Sequence, residues 1–497
     1  MKSLNVFLGT VIVAAMSITL VHASDGTFRQ SHYGGFKGLD LDPASENRFF
    51  QVTEKTMSRL IRPGEGGKPD ADLATEWSSN DDTTEWIFKL REGVKFHDGS
   101  DFDAADVIYT FDHVQDPEFD STAAAVVKMV EKIEALDPFT IKMTLSAPYP
   151  DLGLALQDYR LRIIPEGSVD TISTTGIGTG PFMVDTYDPD GTTVLKANPD
   201  YWEGPPGVET IEVIAIVDAN ARVQALQTGQ IDMLGWSDMT GESRRLFENN
   251  PDYKMLTVET GAWTGIAFLT DTEPFTDPRV RKALRIATDR QALIDLVLGP
   301  GNGTVACDHP VWTGDQYWTP IECPQQIEEA KRLLAEAGYP DGIEFDIVTS
   351  NIESYFIPLA EAYQQQVAEA GIRANIVVAP AEGYWSEVWL KLPVSQTRWG
   401  QNPADKILNA DFRGGAQWNE TRFNNAEFDA LLDQAGQEPD FEKRKALYAQ
   451  LQRIIYETGG NFIPFHMNQA IAVTDRVSGM QAVVGDAVRY HLITVSD

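Results

Sequence analysis

Ile343-Glu-Phe-Asp-Ile-Val-Thr349, then Ile352 to Ala370, then Arg373-Ala-Asn-Ile-Val-Val-Ala379 are consecutive stretches that read as strand, helix and strand. Apolar and polar residues alternate in the first stretch, as on a half-buried strand, and Gly371 stops the helix before the third. Strand, helix and strand in that order form a βαβ unit, so the chain contains a partly parallel sheet with helices packed on its faces. The fold class that follows is α/β.

The neighbouring segments extend this reading. Asp277-Pro278 caps and starts a helix with Val280, Ala283, Leu284 and Ala287 on one face, expected to run to the glycines Gly299 to Gly303. Pro324 to Ala337 is the next helix, ended by Gly338. Phe441 to Glu457 is a last long one, with Leu447, Leu451, Ile454 and Ile455 inward. Toward the start, Thr75 to Arg91 reads as a hairpin around a turn-rich Ser78 to Asp82, and Asp103 to Val114 as a helix with an acidic capping box. Phe182 to Tyr187 and Thr193 to Ala197 form a second hairpin around Asp188-Pro-Asp-Gly191. The aspartates there resemble a calcium loop, but Ala197 stands where such a loop needs its bidentate glutamate, so the segment is a turn.

The chain has 497 residues, too many for one undivided core, since cores stop growing beyond about 250 to 300 residues. Its 40 basic residues face 74 acidic ones, a net charge of −34 that repels phosphate backbones and anionic lipid surfaces. No nucleic-acid partner is expected. At the N-terminus, Lys2 precedes a nearly apolar run from Val6 to Val21, and Val21-His22-Ala23 suits signal cleavage before Ser24. That run falls short of the about 20 residues that span a bilayer, and no cysteine stands at the cleavage point to carry a lipid. Residues 1–23 are therefore a signal peptide, and a periplasmic location is expected. In such an oxidising compartment Cys307 and Cys323 are expected to pair, two buried free thiols being the alternative.

Catalytic signatures are missing. GxxxxGK[ST], HExxH and GxSxG do not occur. Gly176 to Gly180 and Gly299 to Gly303 lack the spacing of a dinucleotide fingerprint, and the histidines are scattered without ligand spacing. No catalytic residue, metal site or cofactor is expected, although a carboxylate pair of a secreted hydrolase is not selected against by spacing alone.

Trp86-Ile-Phe-Lys-Leu-Arg-Glu-Gly-Val-Lys-Phe-His-Asp-Gly99 followed by Ala104-Ala-Asp-Val107 resembles the family 5 extracellular solute-binding proteins of ABC importers. The similarity continues in Gly178-Thr-Gly-Pro-Phe182, Asn198-Pro-Asp-Tyr-Trp202, Ala225-Leu-Gln-Thr-Gly-Gln-Ile-Asp232 and Pro274 to Leu284. It reaches Ala330-Lys-Arg-Leu-Leu334 and Phe423-Asn-Asn-Ala-Glu-Phe-Asp429, covering about residues 40 to 470. The resemblance implies a two-lobed periplasmic-binding-protein clamp of type II, in the large cluster with an extra subdomain in the first lobe. Lobe 1 then spans 24–265 with the subdomain at about 45–170, lobe 2 spans 266–465, and 466–497 returns to lobe 1. Two chain crossings near 260–270 and 460–470 form the hinge, and a small-molecule solute bound between the lobes is delivered by a monomer to an inner-membrane permease and ATPase complex. Di- or oligopeptides, opines and oligosaccharides remain open as ligands, and a sensory receptor as a further partner.

The resemblance places the ligand around a tryptophan that follows a strand, here Trp399. Relatives that grip a peptide ammonium carry Asp just before the following proline. Here that residue is Asn402, which offers no charge-assisted bond, though Asp405 lies close by. Tyr384, Trp385, Trp418, Trp263 and Tyr33 are aromatic candidates for the cleft walls, because such rings bury much area at low entropic cost. Asp308 and His309, beside Cys307, are expected at the cleft mouth.

Overall fold

The computed structural model describes residues 24–32, 38–41, 50–235, 238–239, 241–483 and 487–496. The expected signal segment 1–23 and Tyr33 lie outside the described residues. The βαβ unit is present: strand Ile343–Ser350 runs parallel to Ile372–Ala379, with Phe345 opposite Ala374 and Ile347 opposite Ile376. The helix Phe356–Val367 between them buries Leu359, Ala362, Tyr363 and Val367 against the sheet. This unit is one edge of a large mixed sheet. From that edge the strands run Ile372–Ala379, Ile343–Ser350, Val394–Trp399, Tyr253–Phe268, Asn461–Thr474, Met233–Leu234, Ser24–His32, Val208–Ala215, Thr192–Ala197 and Phe182–Thr186.

Two long strands hold the halves of this sheet together. Tyr253–Phe268 and Asn461–Thr474 pair antiparallel from Tyr253 opposite Thr474 to Ala267 opposite Asn461. Their register breaks in the middle, where Val258 faces Gln469 and Ala262 faces Met467, so three residues oppose one. Gly261 sits in this bulge because the Trp312 ring lies where a side chain would go, 2.5 Å from a Cβ at that position. Toward one end the paired strands pack with Ile347, Tyr363 and Phe465, and toward the other with Phe28, Val213 and Val473, in separate apolar clusters. A third cluster, built on Phe88, Phe111, Ile141 and Met143, belongs to the separate sheet of strands Ala74–Ser79, Glu85–Leu90, Thr140–Leu145 and Val130–Asp137.

Most local expectations match this architecture. The hairpin at 74–90 and the one at 182–197 both pair antiparallel. Asp103 accepts from the Ala105 N–H while Asp106 accepts from the Asp103 N–H, the reciprocal capping box expected from their spacing. Two expectations are corrected. The helix expected from Asp277 to the glycines at 299 is two helices, Pro278–Ile286 and Arg290–Val297, because the Asp289 side chain caps the second at the Ala292 N–H. The second concerns Gly178 and Gly180, for which the turn that glycines usually mark is expected: close approach requires them, since a Cβ at Gly180 would lie 2.5 Å from the Lys55 carbonyl oxygen and one at Gly178 2.2 Å from that of Thr56. His97 pins this glycine pair through the Gly180 carbonyl at 3.0 Å and the Gly178 N–H at 3.2 Å.

Cys307 and Cys323 form a disulfide with Cα atoms 5.6 Å apart. Among the described residues no helix is long and apolar enough to cross a membrane.

Candidate functional site

Strand Val394–Trp399 pairs antiparallel with Tyr253–Phe268 and carries Trp399 at its own C-terminal end, opposite Trp263. A single turn at Tyr384–Val388 puts Trp385 and Trp389 at i and i+4 spacing, so both indoles lie on one side of it. These rings form a continuous row. Centroids are 5.8 Å apart from Trp385 to Trp389, 6.4 Å from Trp389 to Trp399 and 6.1 Å from Trp399 to Trp418, each step edge to face. Trp385, Trp389 and Trp399 are half-buried and Trp418 is exposed.

The row is fastened from below by a carboxylate. Glu420 is fully buried and accepts hydrogen bonds from Trp389 Nε1 at 2.7 Å, Thr397 Oγ1 at 2.5 Å, Trp399 Nε1 at 3.3 Å and Asn461 Nδ2 at 2.7 Å. Burial pushes its carboxyl up to about 7. Asp411, also fully buried, accepts from the Glu420 N–H, and its carboxyl is pushed up by burial and by the Glu420 charge. Two acids in one dry site cannot both ionise cheaply, so each raises the carboxyl of the other toward its protonated form. The result is an aromatic surface in which the Trp389 and Trp399 N–H groups are satisfied inward, leaving ring surface to meet a ligand.

The loop after Trp399 is anchored at three points. Gln401 Oε1 accepts from the Gly261 N–H at 2.9 Å, Asp315 Oδ2 accepts from the Ala404 N–H at 2.9 Å, and Asp405 accepts from Tyr448 and Tyr149 at 3.0 and 3.3 Å. Asn402 is half-buried between these anchors and donates to the Gly400 carbonyl at 3.1 Å. Burial pushes the Asp405 carboxyl up. Engaged by two tyrosines and by Asn409, Asp405 does not stand in for the missing aspartate at position 402.

Residues 149–158 reach across to this face. Asp151 inserts between Tyr317, Gln316 and Arg444: the Tyr317 hydroxyl lies 2.7 and 2.8 Å from its two oxygens, Gln316 Nε2 3.2 Å and Arg444 Nη2 3.5 Å away. Lys406 donates to Asp158 at 3.1 Å. The Asp151 carboxyl is pushed up to about 6 by burial, which the Arg444 charge only partly offsets.

Of the residues singled out in the sequence, Trp385, Trp399, Trp418 and Asn402 come together on this face. Four others are buried. Trp263 and Tyr384 are each 1% exposed and serve the core, the Tyr384 hydroxyl donating to the Gln396 carbonyl at 2.9 Å. Asp308, equally buried, accepts from Arg290 at 2.6 Å rather than opening on a cleft mouth. His309 is buried too, and burial followed by the His466 charge pushes its imidazole down to about 3. Trp389, Glu420, Asp411, Asp151, Tyr317 and Arg444 were not singled out. The i, i+4 spacing of Trp385 and Trp389 was the one signal available in the sequence for any of them. Among the described residues no group of three or more His, Cys, Asp or Glu side chains is arranged to hold a metal ion.

The chain is similar over most of its length to known binding proteins. The Escherichia coli (strain K12) glutathione-binding protein GsiB is 30% identical over 407 residues, 78% of each chain. Heme-binding protein A of Haemophilus influenzae is 28% identical over 447 residues, covering 81% of this chain and 80% of that one. Among solved structures, the Helicobacter pylori periplasmic binding protein DppA in complex with a peptide superposes with a TM-score of 0.77 at 22% identity, over 95% of this chain and 98% of that one. The Listeria monocytogenes substrate-binding protein CtaP gives 0.83 at 21% identity, over 95% and 99%. The profile of bacterial extracellular solute-binding proteins, family 5 (middle region), matches residues 68–419. With that match covering well over half of its length, the chain belongs to the family 5 bacterial extracellular solute-binding proteins.

Proposed function

We propose that this protein captures a small polar organic solute, a di- or oligopeptide or a peptide-like compound, between two lobes and hands it to the permease and ATPase of an ABC importer. The observation that carries this reading is the row Trp385, Trp389, Trp399 and Trp418, of which Trp389 and Trp399 are fastened to Glu420, with the loop after Trp399 meeting Tyr149 and Asp158 through Asp405 and Lys406. The lobes are 24–265 and 266–465, with 466–497 returning to the first, and they hinge at the bulge opposite Asn468. Solute binding favours the closed form, which Asp151 and Lys406 help to fasten. The protein is a binder and not an enzyme. It acts as a monomer in the periplasm after removal of residues 1–23.

Asn402 favours a second ligand class. A neutral amide loses about 1 to 3 kcal/mol relative to a carboxylate facing a free ammonium, so opines and other solutes without that group compete with peptides for this site. A thermal-shift screen of the ligand-stripped protein separates them, since a bound solute raises apparent stability by mass action. Dipeptides or glutathione raising the melting temperature supports the peptide reading, whereas a rise with opines or oligosaccharides alone overturns it. Recovery of each solute unchanged distinguishes retention from the turnover expected of a hydrolase.

A further inference from the structure

Residues 149–158 pack through Leu152 and Leu156 into the apolar cluster of Phe88 and Phe111, while Tyr317, Tyr448 and Leu451 belong to another cluster, built with Phe412. Where the two clusters meet, the contacts are polar. Asp151 takes the Tyr317 hydroxyl at 2.7 and 2.8 Å, Gln316 Nε2 at 3.2 Å and Arg444 Nη2 at 3.5 Å. Arg444 Nε also donates to the Tyr317 hydroxyl, so Asp151, Tyr317 and Arg444, all buried, form one closed set of bonds.

The receiving side is arranged independently of Asp151. Gln316 and Tyr317 lie in the loop closed by the Cys307–Cys323 disulfide, and the Tyr317 ring stacks on Tyr448 with centroids 4.3 Å apart. Arg444 is also held by the Glu438 carbonyl at 2.7 Å. Parting the halves therefore leaves the loop and the arginine in place and returns the Asp151 carboxyl to water.

Burial makes this contact depend on protons. It pushes the Asp151 carboxyl up to about 6 against the Arg444 charge and the Tyr317 bond, and the Asp405 charge adds to the rise. Asp315, beside Gln316, and Asp405, which accepts from Tyr149 and Tyr448, are pushed up by burial as well, the Arg413 charge partly offsetting it at Asp405. Asp158 behaves differently. Burial acts on it too, but the bonds from Arg160 and the Lys406 charge outweigh it and hold its carboxyl below the ordinary range. Its pairing with Lys406 thus persists in mild acid, and the proton-sensitive contact of this segment is that of Asp151.

We propose that Asp151 is a proton-operated latch on Tyr317 and Arg444, which slows the parting of the two halves and so sets how long a solute stays bound. This rests on the two-lobe reading of the solute site and adds to it the residue that times release. The closed form, with the carboxyl near 6, holds a proton more tightly than an open form in which it returns to 3.8. Closure is therefore favoured as pH falls through about 6, and the latch loosens above that.

Stopped-flow tryptophan fluorescence of the mature protein with glutathione separates association from dissociation. In wild type, dissociation is expected to slow about tenfold from pH 7.5 to pH 5, the ratio set by a group that moves from 3.8 to about 6 on closure, while association changes less than about twofold. Asp151→Asn, which cannot ionise, should be slow at both pH values and Asp151→Ala fast at both. Titration of glutathione itself is common to the three proteins. If circular dichroism shows Asp151→Ala unfolded, Tyr317→Phe takes its place, because it removes the hydroxyl and keeps the stacked ring. Equal dissociation rates and pH profiles in wild type and the folded variants overturn the latch. Small-angle X-ray scattering of the same samples keeps that failure apart from failure of the two-lobe reading: a radius of gyration unchanged by bound glutathione overturns closure itself, and the latch with it. If glutathione is not bound, the peptide-like solute class is at fault, and solute-free radii at pH 7.5 read the latch instead. Asp151→Asn more compact than Asp151→Ala supports it there, and equal radii overturn it.

Discussion

The tryptophan face of the second half and the arginine-rich seam of the first, where residues 59–72 meet 488–491, handle buried charge differently. Beneath the tryptophans, Glu420 and Asp411 are fully buried, burial pushes both carboxyls up, and four donors surround Glu420. In the first half, around residues 59–72 and 488–491, cations meet carboxylates instead: Arg62 pairs with Glu203 and Asp70, and Arg489 with Asp70. The first arrangement suppresses charge beneath neutral ring faces, and the second pairs charge with charge. The difference teaches that the net charge of −34 predicts neither site, since the acidic chain uses its acids as scaffolding at one and gathers its scarce arginines at the other.

Breaking the scaffold of the tryptophan face should have the largest effect. Glu420→Ala leaves Trp389, Thr397 and Asn461 without their acceptor, and is expected to lower unfolding free energy by roughly 3 to 5 kcal/mol in urea titrations. Glu420→Gln, which keeps the shape and two acceptor lone pairs, should lose much less; equal losses would show that the hydrogen bonds do not matter. Next, reducing Cys307–Cys323 should cost about 3 kcal/mol from the loop it closes in the second half.

A pH titration sharpens the contrast further. The Asp151 carboxyl is raised from 3.8 to about 6 in the folded chain, so the folded form holds this proton more tightly. The stability it contributes is complete below its ordinary value and is lost as pH rises through about 6. Asp315 and Glu420 shift in the same direction and remain in a variant at 151. The difference between wild type and Asp151→Asn therefore isolates one group. Relative to wild type, Asp151→Asn should gain up to about 3 kcal/mol between pH 4 and pH 7, and parallel stability curves would contradict the burial of Asp151.

What could be read from the sequence was local. Alternation at 343–349, the glycine at 371 and the Asp103 to Asp106 spacing encode their own strand, stop and cap, because partners lie within a few residues. Burial and pairing were not legible for the same reason. Tyr384 and Trp385 are adjacent and of the same type, yet one serves the core and the other a surface row, a choice set by the carbonyl of Gln396. Asp308 looked available beside a surface loop until Arg290, on a separate helix, engaged it. The acceptor of the Trp389 indole stands 31 residues away, and Asp151 meets Tyr317 across 166 residues. Even the helix expected through residue 298 was cut by a side-chain cap at Asp289 that competes locally with the apolar period.

The central claim is that solute is held against the tryptophan face. It is tested most directly by titrating the best solute from the thermal-shift screen into wild type and Trp399→Ala by calorimetry. The account predicts one-to-one binding weakened at least about tenfold, or roughly 1.4 kcal/mol, in a variant whose circular dichroism is unchanged. Unchanged affinity in folded Trp399→Ala would contradict it.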